Sequence, residues 1–248
     1  MRLLRNSAYL FLVVLSAWFA RAAVPRTAAN NSTSSPAIVI GLVGGYVSHE
    51  NLVHAEVSLA ADLAKAYPTG VYVAAFENHR GKQAYKQILK LLDANHDGIL
   101  SDAEKQQARI ILYGHSWGAS EAVALARKLG RDGIPVLLTI QVDSVAKHGE
   151  NDAVIPANVA EAVNFFQTDG YLKGRSEIRA EDPTRTRIIG NFQSHYKSSP
   201  LACKKYPWWD HIFAKAHTQI ECDPAVWNKV EALIRAQLPP ASPTASAQ

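Results

Sequence analysis

Cysteine is scarce in this chain: Cys203 and Cys222 are the only two in 248 residues. At most one internal bridge can form, so a disulfide framework does not hold the fold, and a packed core must. Long apolar runs are missing too. The longest, Ala8 to Ala20, holds about a dozen residues, short of the ~20 that span a bilayer. No dense Lys/Arg tract with interleaved aromatics accompanies the formal charge of +4, which counts Arg2 and Arg5. That argues against a nucleic-acid surface. No internal repeat is visible.

What is present begins with an address. Arg2 and Arg5 precede the apolar run, and Ala20-Arg21-Ala22 follows it with the small residues of a cleavage site. Residues 1–22 therefore read as a signal peptide cut after Ala22, and the expected location is secreted or periplasmic. Residues 23–36 and 239–248 are Ala, Asn, Ser, Thr and Pro without periodicity and read as flexible segments. Between them, residues 37–238 suit one domain with a sizeable core.

Within that domain strands and helices alternate. Apolar runs from Ala37 to Val43, Gly70 to Phe76, Arg109 to Tyr113 and Pro135 to Val142 read as strands. Helices are expected over Glu50 to Tyr67, Lys82 to Leu92 and the segment after Ser116. Further along, Ala162 to Gln167 and Arg187 to Phe192 read as strands and Pro224 to Leu238 as a closing helix. Continuous apolar strands separated by helices imply a mostly parallel sheet covered on both faces, an α/β fold of three layers.

The strand Arg109 to Tyr113 runs into Gly114-His115-Ser116-Trp117-Gly118. Roughly one chain in twelve of this length carries a bare G-x-S-x-G by chance, so the strand before it and the helix after it give the motif its meaning. Together they form a nucleophile elbow, which lifts a serine hydroxyl out of the end of a sheet. A side chain at Gly114 or Gly118 would strike the neighbouring backbone. Ser116 would then sit at a helix N-terminus, whose free N–H groups favour a developing anion.

A serine nucleophile needs a histidine base, and the base needs a carboxylate. Elbow hydrolases place them in the order serine, acid, histidine. Four histidines follow Ser116: His148, His195, His211 and His217. His217 is preferred, because a loop ahead of the last helix can hang over the serine; His211 and His195 are its rivals. For the acid, Asp143 lies at the C-terminal end of a strand, the sheet edge where ligands bind in open α/β folds. Asp169 is the rival, and a plain backbone cap is the other reading of Asp143-Ser144. His115, beside the serine, is expected to pack rather than react.

GHSWGAS, Asp143 in QVDSV and His217 in AHTQIECD resemble the α/β-hydrolase superfamily, most of all its small secreted lipases and esterases. The resemblance covers most of residues 37–238 and implies a minimal, single-domain α/β-hydrolase-like fold. It implies a Ser116, Asp143, His217 triad and an oxyanion hole built from the backbone N–H of Trp117 and one within Gly44-Gly45-Tyr46, so Gly45 or Tyr46. One branch of the family has proline after the acid; here Ser144 stands there.

Just ahead of the elbow strand, Asp93-Ala-Asn-His-Asp-Gly-Ile-Leu-Ser-Asp-Ala-Glu104 resembles an EF-hand loop position by position. Asp93, Asn95 and Asp97 fill the first, third and fifth ligand places, Gly98 the sharp turn, Ile99 the carbonyl, Ser101 the ninth place and Glu104 the bidentate twelfth. Ca²⁺ is the expected cofactor. With no second such loop to pair with, its role would be structural rather than that of a switch. The competing reading is an Asp-Gly turn leading into a Ser101-to-Glu104 capping box, which needs no metal. In an oxidising compartment Cys203 and Cys222 most simply pair, closing a loop around His211 and His217; two buried thiols are the alternative.

Two functions follow. One is an exported serine hydrolase acting on small-molecule or lipid esters; lipase, esterase, thioesterase and peptidase share this machinery. The other is a calcium-binding adhesion or scaffold module on a hydrolase-like fold without turnover. Trp117, Tyr46 and the run Tyr206-Pro207-Trp208-Trp209 offer apolar surface for an acyl group.

Overall fold

The computed structural model describes residues 35–206 and 214–241. The signal peptide, nearly all of the segment after it, the end of the C-terminal tail, His211 and Pro207-Trp208-Trp209 lie outside the described residues. None of the helices described is long and apolar enough to cross a membrane.

Six strands form the central sheet: β1 (Ala37–Val43), β2 (Val71–Glu77), β3 (Ile110–His115), β4 (Val136–Val142), β6 (Val159–Gln167) and β8 (Arg187–Ser194). Their order is β2-β1-β3-β4-β6-β8, and each neighbouring pair is parallel. Two short strands, β5 (Val154–Ile155) and β7 (Arg179–Ala180), pair separately; at two residues each they carry too little pattern to be read from sequence.

The helices are α1 (Ala55–Ala66), α2 (Gly81–Leu92), α3 (Asp102–Gln106), α4 (Trp117–Arg131), α5 (Lys215–Glu221) and α6 (Pro224–Gln237). The first begins five residues later than the sequence pattern suggests, because residues 50–54 form turns closed by bonds such as His54 N–H to Asn51 O. Elsewhere the ends follow local chemistry. Lys128 and Arg131 occupy the last turn of α4, where they complement the helix dipole. Asp223 caps α6 by accepting from Ala225 N–H, with Pro224 at the first helical position.

Alternation along each strand divides the core. Ile38, Ile40 and Leu42 of β1, with Ile110 and Leu112 of β3, pack against α2 and α4. Val39, Ile111, Tyr113, Leu138 and Ile140 face the other way, against α1, α5 and α6. Fully buried aliphatic side chains of this kind contribute about 1.5–3 kcal/mol each. Parallel strands sheathed on both faces explain why these segments are continuously apolar.

The strand order fixes where a site can form. From β1 the chain crosses to β2 on one side and then to β3 on the other, so direction reverses between β1 and β3. At such a switch point the connections leave the carboxyl ends of the two strands in opposite directions and open a crevice. Gly44-Gly45 follows β1 and Ser116 follows β3.

Candidate active site

Ser116 sits in the left-handed region, at φ 57° and ψ −125°, between β3 and α4. The glycines around it make that turn sterically feasible. A Cβ on Gly118 would lie 1.9 Å from the Leu42 carbonyl oxygen, and one on Gly114 would lie 2.6 Å from Gly118 carbonyl carbon. Backbone cannot move aside as a flexible side chain can. Ser116 N–H donates to Val142 O at 3.0 Å, tying the elbow to β4. The N–H of Trp117, first residue of α4, has no carbonyl behind it in the helix.

Asp143 follows β4 and is fully buried, with φ 43°. Its Oδ2 lies 2.6 Å from His217 Nδ1. A carboxylate only accepts, so the proton sits on Nδ1 and Nε2 remains the basic nitrogen. Gln167 Nε2 donates to the same oxygen at 2.8 Å, and Gly174 N–H donates to Oδ1 at 2.9 Å. Gln167 N–H adds a fourth donor, to Oδ1 at 3.3 Å, so Asp143 is held by contacts from distant segments and is not a local turn cap.

His217 lies inside the short helix α5 and not on a loop, contrary to the sequence expectation. The Cys203–Cys222 disulfide, with Cα atoms 5.9 Å apart, anchors the end of that helix. His195 is exposed after β8. Asp169 is engaged elsewhere: its Oδ2 accepts from Tyr196 N–H at 2.5 Å and Lys197 N–H at 3.1 Å, which hold its carboxyl below the usual range. It pins the start of the segment after β8.

Ser116 and His217 line one cavity of about 310 Å³, together with Gly44, Gly45, Trp117 and the apolar Val47, Val145 and Leu172. Trp117 contributes to its wall as expected. Tyr46 is 93 % exposed, its ring edge-on to Trp117 at 5.8 Å. The turn after β1 is fixed by Asn78, whose Nδ2 donates to Val43 O and Gly45 O.

Behind the serine lies a buried polar cluster that the sequence does not announce. His115 is buried, its ring centroid 4.4 Å from that of His217. Burial, then the charges of His217 and His54, push its pKa well below the ordinary histidine value, so it stays neutral. His54 Nδ1 lies 2.5 Å from Glu221 Oε1, and His115 Nδ1 lies 3.5 Å from Glu221 Oε2. Glu56 accepts a long bond from Gly44 N–H, 3.4 Å, and its carboxyl is pushed up to about 8 by burial first and the charge of Glu221 second. These residues stand far apart in the chain, and only folding unites them. Gln167 and Gly174 were likewise invisible: neither belongs to a motif.

In the loop 93–104, His96 sits at φ 59° and Gly98 at φ 81°. Asp93 Oδ2 accepts from Gly98 N–H at 3.0 Å, while Oδ1 is buried without a partner. The distal ligands are otherwise occupied. Glu104 accepts from Ser101 N–H and Oγ and from Ala94 N–H, and Ser101 and Glu104 form a capping box. Asp97 Oδ1 accepts from Ile99 N–H at 2.8 Å and Oδ2 from Asn95 Nδ2 at 2.9 Å. Elsewhere among the described residues, potential ligand atoms, one each from His54, Glu56 and Glu221, lie within 4.8 Å of one another.

No protein-family model and no curated protein matches the chain. Among solved structures it is similar to the RedJ thioesterase of the prodiginine pathway of Streptomyces coelicolor, at 13 % identity and TM-score 0.40, over 90 % of this chain and 98 % of that one. A YdeN-like hydrolase from Pectobacterium atrosepticum matches at 14 % identity and TM-score 0.38, over 82 % and 94 %. A dienelactone hydrolase from Anabaena variabilis matches at 12 % and 0.38, over 83 % and 86 %. Likeness at this level says nothing about activity. The parallel six-stranded sheet in the order β2-β1-β3-β4-β6-β8, sheathed by helices on both faces, is an α/β-hydrolase-like fold.

Proposed function

We propose that this chain is an exported serine hydrolase of carboxylic esters, working through Ser116, His217 and Asp143. The observation that carries the reading is the buried 2.6 Å contact of His217 Nδ1 with Asp143 Oδ2, on a histidine that shares a cavity with a serine held in an elbow.

In the proposed reaction, His217 Nε2 takes the Ser116 proton as Oγ bonds to the ester carbonyl carbon. The carbonyl oxygen becomes an oxyanion, met by backbone N–H groups of Trp117 and of Gly45 or Tyr46; Gly44 N–H faces Glu56. Collapse breaks the ester C–O bond, the alcohol leaves with the proton from Nε2, and Ser116 is acylated. Water then repeats the sequence: His217 removes its proton, the acyl–Oγ bond breaks, and the proton returns to Ser116. Asp143 keeps its charge throughout and stabilises the imidazolium.

A 310 Å³ cavity is at the small end of ligand sites. Together with its apolar walls this favours short-chain esters over long acyl chains. A panel of p-nitrophenyl esters of graded length tests the reading, with fluorophosphonate labelling of wild type and Ser116→Ala. Hydrolysis that falls with chain length and a label that requires Ser116 are expected; an unlabelled, inactive wild type would favour the scaffold alternative.

We also propose that the loop 93–104 takes a structural Ca²⁺. The left-handed His96 and Gly98 and the orphaned Asp93 Oδ1 support it. Asp93, Asn95, Asp97, Ser101, Glu104 and the Ile99 carbonyl would hold the ion, with Glu104 released from its capping bonds. The ion would brace the connection between α2 and β3, the strand that ends at the serine.

A further inference from the structure

His54 and Glu56 open α1, and Glu221 closes α5, 165 residues beyond Glu56 in the chain. His54 is the extended N-cap residue and Glu56 the second helical one, and their side chains converge with that of Glu221. One ligand atom from each of the three lies within 4.8 Å of the others, and all three residues are buried, Glu56 completely. Glu56 Oε2 has no hydrogen-bond partner, although buried carboxylate oxygens almost always have one. His115 adds a fourth donor at the edge: its Nδ1 is 4.0 Å from Glu56 Oε1 and 3.5 Å from Glu221 Oε2, and its Nε2 also lacks a partner.

From this geometry we propose that His54, Glu56 and Glu221 form a binding site for a divalent transition-metal ion, of which Zn²⁺ fits best, separate from the calcium loop. One imidazole nitrogen and two carboxylate oxygens are a borderline set suited to zinc and too few oxygens for calcium. Three protein ligands leave a fourth place, open to His115 or water. His54, His115 and Glu221 line the same cavity as Ser116, which gives the ion a way in.

Binding is an exchange. The hydrogen now between His54 Nδ1 and Glu221 Oε1 must leave that contact, and the two atoms must separate from 2.5 Å to about 3.3 Å to share one ion with bonds of ~2.0–2.1 Å. The ion would supply positive charge beside two buried carboxyls. Glu221 is one helical turn after His217, so the metal would tie the helix carrying the histidine to the start of α1. Through the Gly44 N–H bond to Glu56 it would also steady the turn after β1.

The full processed chain, stripped by chelator and kept in excess calcium to hold the loop constant, is titrated with Co²⁺ and followed by visible d–d absorption. Thermal melts with Zn²⁺ run in parallel. A band saturating near about one equivalent and a rise in the melting midpoint are expected. Glu56→Gln and His54→Ala should each weaken binding at least about tenfold, while Glu104→Gln and Ser116→Ala should leave it unchanged. Near-ultraviolet dichroism identifies folded variants, and Glu221→Gln replaces either one that fails to fold. Absence of both the cobalt band and the zinc shift in wild type would overturn the site. So would unaltered cobalt binding in a folded ligand variant. Neither readout depends on ester turnover.

Discussion

Gln167 Nε2 donates to Asp143 Oδ2 at 2.8 Å, the same oxygen that faces His217 Nδ1. The same amide nitrogen donates to Leu172 O, and its oxygen accepts from Asp169 N–H and Gly170 N–H, so Gln167 joins β6 to the loop around the acid. It is a positioning residue. Gln167→Leu should lower kcat by roughly ten- to a hundredfold with little change in KM, because Asp143 would lose a fixed orientation rather than a substrate contact. Equal kcat in both proteins would show that the backbone N–H groups of Gly174 and residue 167 suffice.

Ser116→Ala should lose at least about a thousandfold in ester hydrolysis while melting like wild type. His217→Ala and Asp143→Asn should behave alike, since the three act as a unit, whereas His195→Ala, His211→Ala and Asp169→Asn should stay within about an order of magnitude of wild type. Steady-state kinetics on one short-chain ester decides it. A dead Asp169→Asn beside an active Asp143→Asn would reverse the assignment of the acid.

Asp169 should instead matter for stability, with a defined pH dependence. Tyr196 and Lys197 N–H groups lower its folded pKa below the ordinary 3.8. Its contribution is therefore fully present above that value and is lost as pH falls through the folded pKa. Denaturant melts of wild type and Asp169→Asn should differ at neutral pH by no more than about 1 kcal/mol, since solvent screens this carboxylate, and the gap should close as pH falls through the folded pKa. A gap that persists unchanged in acid would rule out the ionised carboxylate as its source.

Gly118→Ala should be far more damaging than its size suggests. The added Cβ would meet the Leu42 carbonyl oxygen at 1.9 Å, and that oxygen is backbone and cannot swing aside. A loss of about 3 kcal/mol or more is expected from the forced separation of α4 and β1. Chemical denaturation, or failure to recover soluble protein, checks it.

Calcium should raise the melting midpoint of wild type, by an amount equivalent to about 2.7 kcal/mol at a hundredfold excess over Kd. Glu104→Gln should abolish most of that rise. An unchanged midpoint in millimolar calcium would leave the loop as the capped turn that Ser101 and Glu104 already make.

The sequence by itself determined the parallel strands, because burial on both faces demands unbroken apolar runs such as Ile38 to Val43 and Ile110 to Tyr113. It also located the elbow, whose Gly114 and Gly118 answer to contacts within a few residues and to one neighbouring strand. Local periodicity placed most helix ends within a residue or two, yet missed the turns before Ala55 and put His217 on a loop. The choice between Asp143 and Asp169 belonged to the tertiary structure, since both follow strands and differ only in what lies opposite them. So did the meeting of Glu56, Glu221, His54 and His115. Their contacts span up to 167 residues, and no local pattern encodes which buried polar side chains α1, α5 and the end of β3 will bring together.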